Sequence, residues 1–327
     1  MSIRRSGLTL VAGAVALGVS CLGSAAWAAD IPVKAPPPPP PSPWVLDVHG
    51  FFDLTVASTR VTGGGLYLYP RPALVQPSLG LTLDIYKDPK GFINSFSVFA
   101  GVWNESWTRP LNGARHWQEM DWWGGFSVGF AEHWKLSVQH LQFEIIGVGN
   151  PVNDTATLSF DDSYLGWPIT FNPYINVFYT ERNGSVVVYG KRTDAVRFDA
   201  GISPTYSFLK PYGIPLSISA PTWVAFGPSD FWNRNDGTTN VCGVLQNQPC
   251  ALSNVGYFTT GLSAKYALDA FIPKRLGNWY VKGGVQWYHI DNDALLAAQV
   301  VANPGVPNFV SAKRDVTVVS GSTGFSF

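Results

Sequence analysis

The fold is decided by residues 317–327, which read Thr-Val-Val-Ser-Gly-Ser-Thr-Gly-Phe-Ser-Phe. Side chains of a β-strand point alternately to its two faces, so the odd-numbered residues of this stretch share one face. That face ends in Phe325 and Phe327, whereas the opposite face is mostly serine. Such a pattern, with an aromatic residue at the end, is typical of a closing strand in a transmembrane β-barrel, whose last ring lies at the lipid interface.

The other end of the chain predicts export. Arg4 and Arg5 form a short basic region, and residues 8–22 are an apolar stretch of signal-peptide length. Ala26-Trp27-Ala28 then places small residues at the two positions that a signal peptidase reads. We therefore expect residues 1–29 to be a cleaved signal peptide.

Two alternatives to a cleaved signal remain open. A membrane anchor fits less well because the apolar core is short and a Pro-rich segment follows it. A lipoprotein attached at Cys21 fits less well because Leu17 lies one place too far upstream.

The composition separates two kinds of all-β protein. Aromatic residues make up 14% of the chain and charged residues only 13%, whereas ordinary globular chains are roughly a quarter charged. No apolar run after the signal is long enough for a spanning helix. An exported chain of this kind fits a transmembrane antiparallel up-and-down β-barrel, which satisfies every backbone group in lipid. A soluble β-sandwich is the alternative, but it leaves the many Trp and Tyr residues unexplained.

The chain divides into three predicted parts. Residues 30–43 follow the signal and include six consecutive prolines at 36–41, which predict a stiff polyproline spacer in the periplasm. A peptidoglycan-contacting or partner-binding role for this spacer is an alternative. Residues 44–327 form the predicted barrel.

The barrel is expected to have about twelve strands, with ten and fourteen as alternatives. The predicted strands are residues 44–57, 74–87, 93–107, 116–130, 133–146, 155–165, 171–182, 194–208, 215–227, 255–268, 277–290 and 313–327. In the fifth of them, the apolar residues change face after Val138. A bulge near Gln139 and His140 is expected to restore the register. Residues 183–193 could add a local strand.

The connections agree with a periplasmic start. Odd-numbered connections include the three longest, 58–73, 228–254 and 291–312, as expected for outer loops, and the even-numbered ones are short turns. The mature chain keeps only Cys242 and Cys250, both in an outer loop. In an oxidising compartment they indicate a disulfide, and metal binding is a weaker alternative because no His lies nearby.

Two stretches carry a resemblance to a known group of proteins. Residues 29–37, Ala-Asp-Ile-Pro-Val-Lys-Ala-Pro-Pro, resemble the mature start of many alphaproteobacterial outer-membrane proteins. The C-terminal strand resembles the signal that the outer-membrane assembly machinery reads, although Ser322 stands where a glycine is usual. The overall pattern is similar to uncharacterised porins of that lineage. The resemblance implies an outer-membrane β-barrel protein whose Phe325 and Phe327 form the assembly signal.

The face opposite the apolar stripe supplies the candidate functional residues. Both signs of charge occur there, and charges inside a barrel hold water, pair with one another or select ions. The densest predicted constriction joins two adjacent strands. The candidates for the lumen and its constriction are Trp103, Glu105, Glu119, Asp121, Trp123, Arg197, Asp199, Lys265 and Lys282. Salt-bridged or aromatic filling of the lumen is the alternative for any of them.

A channel is the function that these features favour. Twelve strands leave a lumen between the filled interior of eight and the wide pore of sixteen, so small polar or amphipathic solutes are the expected cargo. One alternative is a non-conducting structural or recognition barrel that presents its outer loops. Another is a barrel-embedded lipid hydrolase, but no nucleophile motif accompanies the five histidines. We expect no enzyme activity, no cofactor or metal, and no nucleic-acid partner. The expected partners are membrane lipid, assembly machinery and a small solute.

Overall fold

A computed structural model of the protein describes most of the predicted barrel. The described residues are 42–68, 73–109, 116–145, 151–180, 195–207, 209, 212–229, 231–232, 250–303, 306 and 308–327. The predicted signal peptide, most of the Pro-rich spacer, Cys242 and the suggested strand at 183–193 lie outside them. Within the described residues, no helix is long and apolar enough to cross a membrane.

Twelve antiparallel strands close into one barrel, which confirms the predicted fold class and strand number. Each strand pairs with its neighbours in sequence, the first also pairs with the last, and three strands are interrupted. The strands are β1 (Trp44–Ala57), β2 (Leu74–Lys87), β3 (Ile93–Trp107), β4 (Trp117–Phe130), β5 (Trp134–Ile145), β6 (Val152–Phe160), β7 (Ile169–Thr170 and Tyr174–Thr180), β8 (Ala195–Ile202 and Thr205–Tyr206), β9 (Leu216–Ser219 and Thr222–Phe226), β10 (Val255–Ala267), β11 (Asn278–Ile290) and β12 (Asp315–Ser326).

The outer surface of the barrel is apolar. Alternation along each strand sends large apolar side chains outward, where they are exposed instead of buried. Exposed outward residues at mid-strand include Leu79, Leu81, Val102, Phe126, Ile175, Leu262, Val281 and Val285. So many exposed apolar side chains on successive strands need a nonpolar environment. Because most of the strands also exceed the roughly 9–11 residues that a tilted strand needs to cross a bilayer, the barrel spans a membrane.

The two rims of the barrel differ. The short-turn end carries the connections after even-numbered strands, and the long-loop end carries those after odd-numbered strands. Exposed aromatic side chains surround the short-turn end: Trp44, Phe92, Trp134, Tyr164, Trp167, Tyr212 and Phe271. Amphipathic rings at this level are typical of a membrane–water interface.

The predicted bulge in the fifth strand is wrong. β5 pairs with β4 and β6 in one unbroken register through Gln139 and His140. Leu141 and Phe143 therefore face the lumen with Gln139, and Glu144 faces outward instead of inward. The prediction assumed that apolar residues must face lipid, whereas these line an internal cavity.

A helix inside the last long connection was not predicted from the sequence. α1 (Asp293–Ala302) begins at Asn292, whose side chain accepts a hydrogen bond from the amide of Ala294 at 2.9 Å. Residues 294–299 are all buried, including the polar Gln299. Apart from Asp293 and Gln299, every residue of the helix is apolar, and a helix that is apolar on nearly all sides is buried. Here it packs inside the long-loop end of the barrel.

Candidate functional site

The first long connection turns into the lumen. Its described part forms a small hairpin in which Arg60–Val61 pairs with Tyr67–Leu68. This segment, residues 60–68, is called the loop-1 hairpin below. Its tip is glycine-rich, and Gly65 adopts a φ of 90°, a conformation that favours glycine. A side chain there would also collide with the ring of Tyr257.

The base of the hairpin is anchored to β3 and β4 by charge. Arg60 donates to both carboxylate oxygens of Glu119, and its guanidinium lies 3.2 Å from Glu105. The same guanidinium lies 4.8 Å above the ring centre of Trp103, a cation–π contact. A bidentate pair fixes geometry as well as charge. Arg60 therefore holds the hairpin against this wall.

Three acidic side chains meet at this wall. Glu105 and Glu119 face each other directly across the β3–β4 ladder, and Asp121 pairs with Trp103. Glu105 also accepts hydrogen bonds from Gln76 at 2.9 Å and from the Trp107 indole at 2.8 Å. All three carboxylates are buried.

The tip of the hairpin is held on the opposite side of the lumen. The carbonyl of Gly63 accepts hydrogen bonds from Arg197 of β8 at 2.7 Å and from the Tyr257 hydroxyl of β10 at 2.9 Å. The carbonyl of Gly64 accepts one from the Trp232 indole at 3.0 Å. Arg197 also donates to Asp199 on its own strand. The hairpin thus crosses the lumen from β3 and β4 to β8 and β10.

An apolar core joins the hairpin to the other long connections. It combines the loop-1 hairpin, α1 and Phe231–Trp232, which together are called the plug below. The buried members of this core, including residues of the wall, are Leu66, Tyr67, Ala225, Phe231, Trp232, Tyr257, Ile290, Ala294, Leu295, Leu296, Ala297, Ala298 and Val316. The plug is therefore packed like a protein interior and not like a loop lying in water.

Two cavities remain beside the hairpin. One, of about 480 Å³, lies between the hairpin and the wall from β3 to β8, and the other, of about 380 Å³, lies towards β1, β11 and β12. Arg60 and Trp103 line both. These two side chains, which are in contact, therefore lie between the two cavities.

The predicted constriction residues divide into three groups by position. Trp103, Glu105, Glu119, Asp121 and Trp123 come together beside the first cavity. The pair Arg197 and Asp199 lies across that cavity on β8. The last two candidates form the third group.

Lys265 and Lys282 lie apart from the plug. They pair with each other across the β10–β11 ladder on the lumen face near the short-turn end, and both are exposed. Lys265 lies 4.0 Å above the ring centre of Tyr280. Both residues sit where the lumen is open to water, so they do not belong to the constriction next to Arg60.

The remaining predicted residues lie at the rims. Phe325 stacks on Trp279 at 4.6 Å on the outer face, and Phe327 exchanges two backbone hydrogen bonds of 3.1 Å with Gly50. Cys250 lies in the described part of its loop, but its predicted partner Cys242 does not. The assembly signal and the disulfide stay predictions.

Sequence reasoning missed the residues that the loops contribute. Arg60, Gly63 and Trp232 lie in connections without strand periodicity, so no pattern assigned them to the lumen. The one available signal was the run of three glycines at 63–65, which begins three residues after Arg60 and allows a tight tip. Nothing in such a run says which way the loop folds.

Comparison with known proteins leaves the family open. No family model matches the chain, and no curated protein matches it. Among solved structures, the NanC porin matches with 10% identity and a TM-score of 0.40, over 84% of this chain and 98% of that chain. Pseudomonas putida OprB matches with 10% identity and a TM-score of 0.39, over 88% and 99%. The transport unit of the Escherichia coli autotransporter AIDA-I matches with 13% identity and a TM-score of 0.35, over 86% and 90%. These likenesses are distant, so the assignment of a closed barrel is based on the strand pairing of this chain alone.

Proposed function

We propose that the protein is an outer-membrane channel for the passive passage of small polar or amphipathic solutes through a narrow lumen. The observation that carries the proposal is the pair of cavities on the two sides of the Arg60–Trp103 contact, about 480 and 380 Å³ in volume. Because space persists on both sides of the hairpin, the described part of the plug narrows the lumen and leaves room beside it. At the short-turn end, the lumen face carries the exposed pair Lys265 and Lys282.

The proposal includes the assembly route of the protein. Residues 1–29 are a cleaved signal peptide, residues 30–43 a periplasmic spacer, and residues 44–327 the barrel of an alphaproteobacterial outer membrane. The assembly machinery binds the C-terminal strand, and a disulfide between Cys242 and Cys250 restrains one outer loop. The apolar exterior with its aromatic rim supports the membrane assignment.

Conductance across a planar bilayer tests the channel. We expect discrete small steps from the wild type, and a lower preference for cations in Glu119→Gln and Asp121→Asn, because each substitution removes an acidic group from the lumen. Unchanged ion preference in both variants would remove these residues from the path. Liposome swelling with sugars, amino acids and organic acids then ranks the solutes.

A second candidate function is a non-conducting recognition barrel. The complete burial of Leu295 and Trp232 in the plug favours it, since a packed apolar core can close a lumen permanently. A wild type that stays silent in bilayers, although it is folded, would support this candidate against the channel.

We also propose that the protein has no hydrolase activity. On the outer face, His140 bonds Asp154 at 2.8 Å and His289 bonds Asp315 at 2.9 Å. A serine hydrolase additionally needs a hydroxyl on the imidazole, and within the described residues neither ring has one as a hydrogen-bond partner. A lipase assay on the refolded protein tests this, and turnover above a protein-free blank would contradict it.

A further inference from the structure

The lining of the larger cavity contains groups that are not needed to close the lumen. Trp123, Phe143 and Ile145 give it an apolar and aromatic wall, while Asp121 and Asn153 add polar groups to the same space. Its volume of about 480 Å³ lies within the roughly 300–1,000 Å³ of small-molecule sites. Size and lining together are those of a binding pocket.

Two buried oxygen atoms in the lining of this cavity, and a third beside it, lack a hydrogen-bond partner. Among the described residues, Asp121 Oδ1, Asn153 Oδ1 and Thr180 Oγ1 make no hydrogen bond. Asp121 and Asn153 line the cavity and are only 7% and 3% exposed. Thr180 pairs directly with Asn153 in the β6–β7 ladder. Because buried polar atoms are nearly always paired, these atoms point to a ligand that donates hydrogen bonds.

Charge at the cavity selects the sign of that ligand. Arg60 faces the three carboxylates of Glu105, Glu119 and Asp121, so the cluster carries an excess of negative charge when its acids are ionised. On the other side, Arg197 is paired with Asp199 and adds no net charge. A cation next to Asp121 would reduce this excess, whereas an anion would increase it.

The spacing of the unpaired atoms sets the shape of the ligand. Asp121 lies on β4, and Asn153 lies on β6, with β5 between them. Strand spacing puts the two backbones about 10 Å apart, and side chains converge inside a barrel. Leu141 and Phe143 of β5 lie between the two polar groups. Phe143 is the direct cross-strand partner of Asp121, so its ring is available to stabilise a cation at that carboxylate.

We propose that this cavity binds a small amphipathic amine. Its ammonium group lies at Asp121, its aromatic or aliphatic body lies over Leu141 and Phe143, and a hydroxyl at its far end donates to Asn153. The inference rests on the proposed channel only in naming a class of solute for it. Binding itself does not require conduction.

Calorimetry on the purified protein in detergent micelles tests the site with four matched probes. Tyramine has both features, tyrosol lacks the charge, 2-phenylethylamine lacks the hydroxyl, and 4-hydroxyphenylacetate reverses the charge. We expect tyramine to bind with one-to-one stoichiometry, and tyrosol and 4-hydroxyphenylacetate to bind at least about tenfold more weakly. The phenol hydroxyl should have a smaller effect, so tyramine should bind about threefold more tightly than 2-phenylethylamine.

Two variants assign the two ends of the ligand. Asp121→Asn should remove the preference for tyramine over tyrosol, and Asn153→Leu should remove the preference for tyramine over 2-phenylethylamine. Asp84→Asn is the control, since it removes a lumen carboxylate at the short-turn end, where Lys87 lies 2.9 Å away. Each preference is a ratio measured on one sample, so an unfolded fraction changes the stoichiometry and not the ratio.

The outcomes separate this inference from the proposed channel. Equal binding of 4-hydroxyphenylacetate and tyramine, an unchanged preference in Asp121→Asn, or the absence of binding in the wild type would each overturn the amine site. A barrel that conducts without binding any probe refutes only the site. A silent barrel that binds tyramine with the expected preferences refutes only the channel.

Discussion

The two ends of the lumen show how one strand pattern serves two environments. In the ladder between β10 and β11, Tyr257 pairs with Ile290 at the long-loop end, and both are almost completely buried. Eight residues further along β10, Lys265 pairs with Lys282 near the short-turn end, and both are exposed. The wall is continuous, so the difference comes from the plug. A barrel strand therefore fixes which face a residue occupies but not whether that face is wet.

The largest expected effect is the loss of the charge that anchors the hairpin. Arg60→Met leaves Glu105 and Glu119 without their shared cation, and breaking a buried pair in this way costs about 3–5 kcal/mol. We expect the hairpin to leave the wall. Bilayer recordings should show a larger conductance, and limited proteolysis should cut within residues 58–73.

Lys282→Met is the matched control for this change at the open end. Its side chain is exposed, so we expect a change within about 0.5 kcal/mol in the free energy of unfolding. If Arg60→Met and Lys282→Met lowered the free energy of unfolding equally, the long-loop end would not be held more tightly than the short-turn end.

A truncation inside the plug should have the next largest effect. Leu295 of α1 is 0% exposed, and Leu295→Ala should cost about 2–5 kcal/mol because it removes buried contacts and leaves a cavity. Urea unfolding in detergent measures the loss. Leu276→Ala makes the same change at the short-turn end, where the side chain is 60% exposed, and should change the unfolding midpoint little. A similar shift in both variants would argue against a tightly packed plug.

The smallest expected effect concerns one hydrogen bond at the tip of the hairpin. Tyr257→Phe removes the hydroxyl that donates to Gly63, while Arg197 still donates to the same carbonyl. Because one donor remains, the free energy of unfolding should fall by only about 0.5–1.5 kcal/mol. Hydrogen exchange should become faster at the amides of residues 62–66. If these amides exchanged at the wild-type rate, Arg197 alone would hold the tip. The control is Tyr212→Phe at the exposed rim, which should not change the exchange of these amides.

The barrel could be predicted because its strands repeat with a period of two. Trp279, Val285 and Trp287 in β11 share one face whatever the neighbouring strands do. The same parity put Glu105 and Glu119 on the lumen face before any pairing was known. The rule failed in β5, where Leu141 and Phe143 are apolar but line a cavity inside the barrel. Apolar residues mark a nonpolar environment. This barrel has two such environments, the lipid around its outer face and the apolar cavity wall inside its lumen.

The sequence by itself determined the fold class, the strand number and the face of most strand residues. These properties follow from local alternation and from the need to satisfy backbone groups in lipid. Only the tertiary structure decided that Arg60 reaches Glu119 and that α1 packs inside one end of the barrel. The contact from Arg60 to Glu119 joins residues 59 positions apart, and nothing in the local pattern of a loop specifies where it docks. Its docking depends on the space, the charge and the apolar surface that the closed barrel provides.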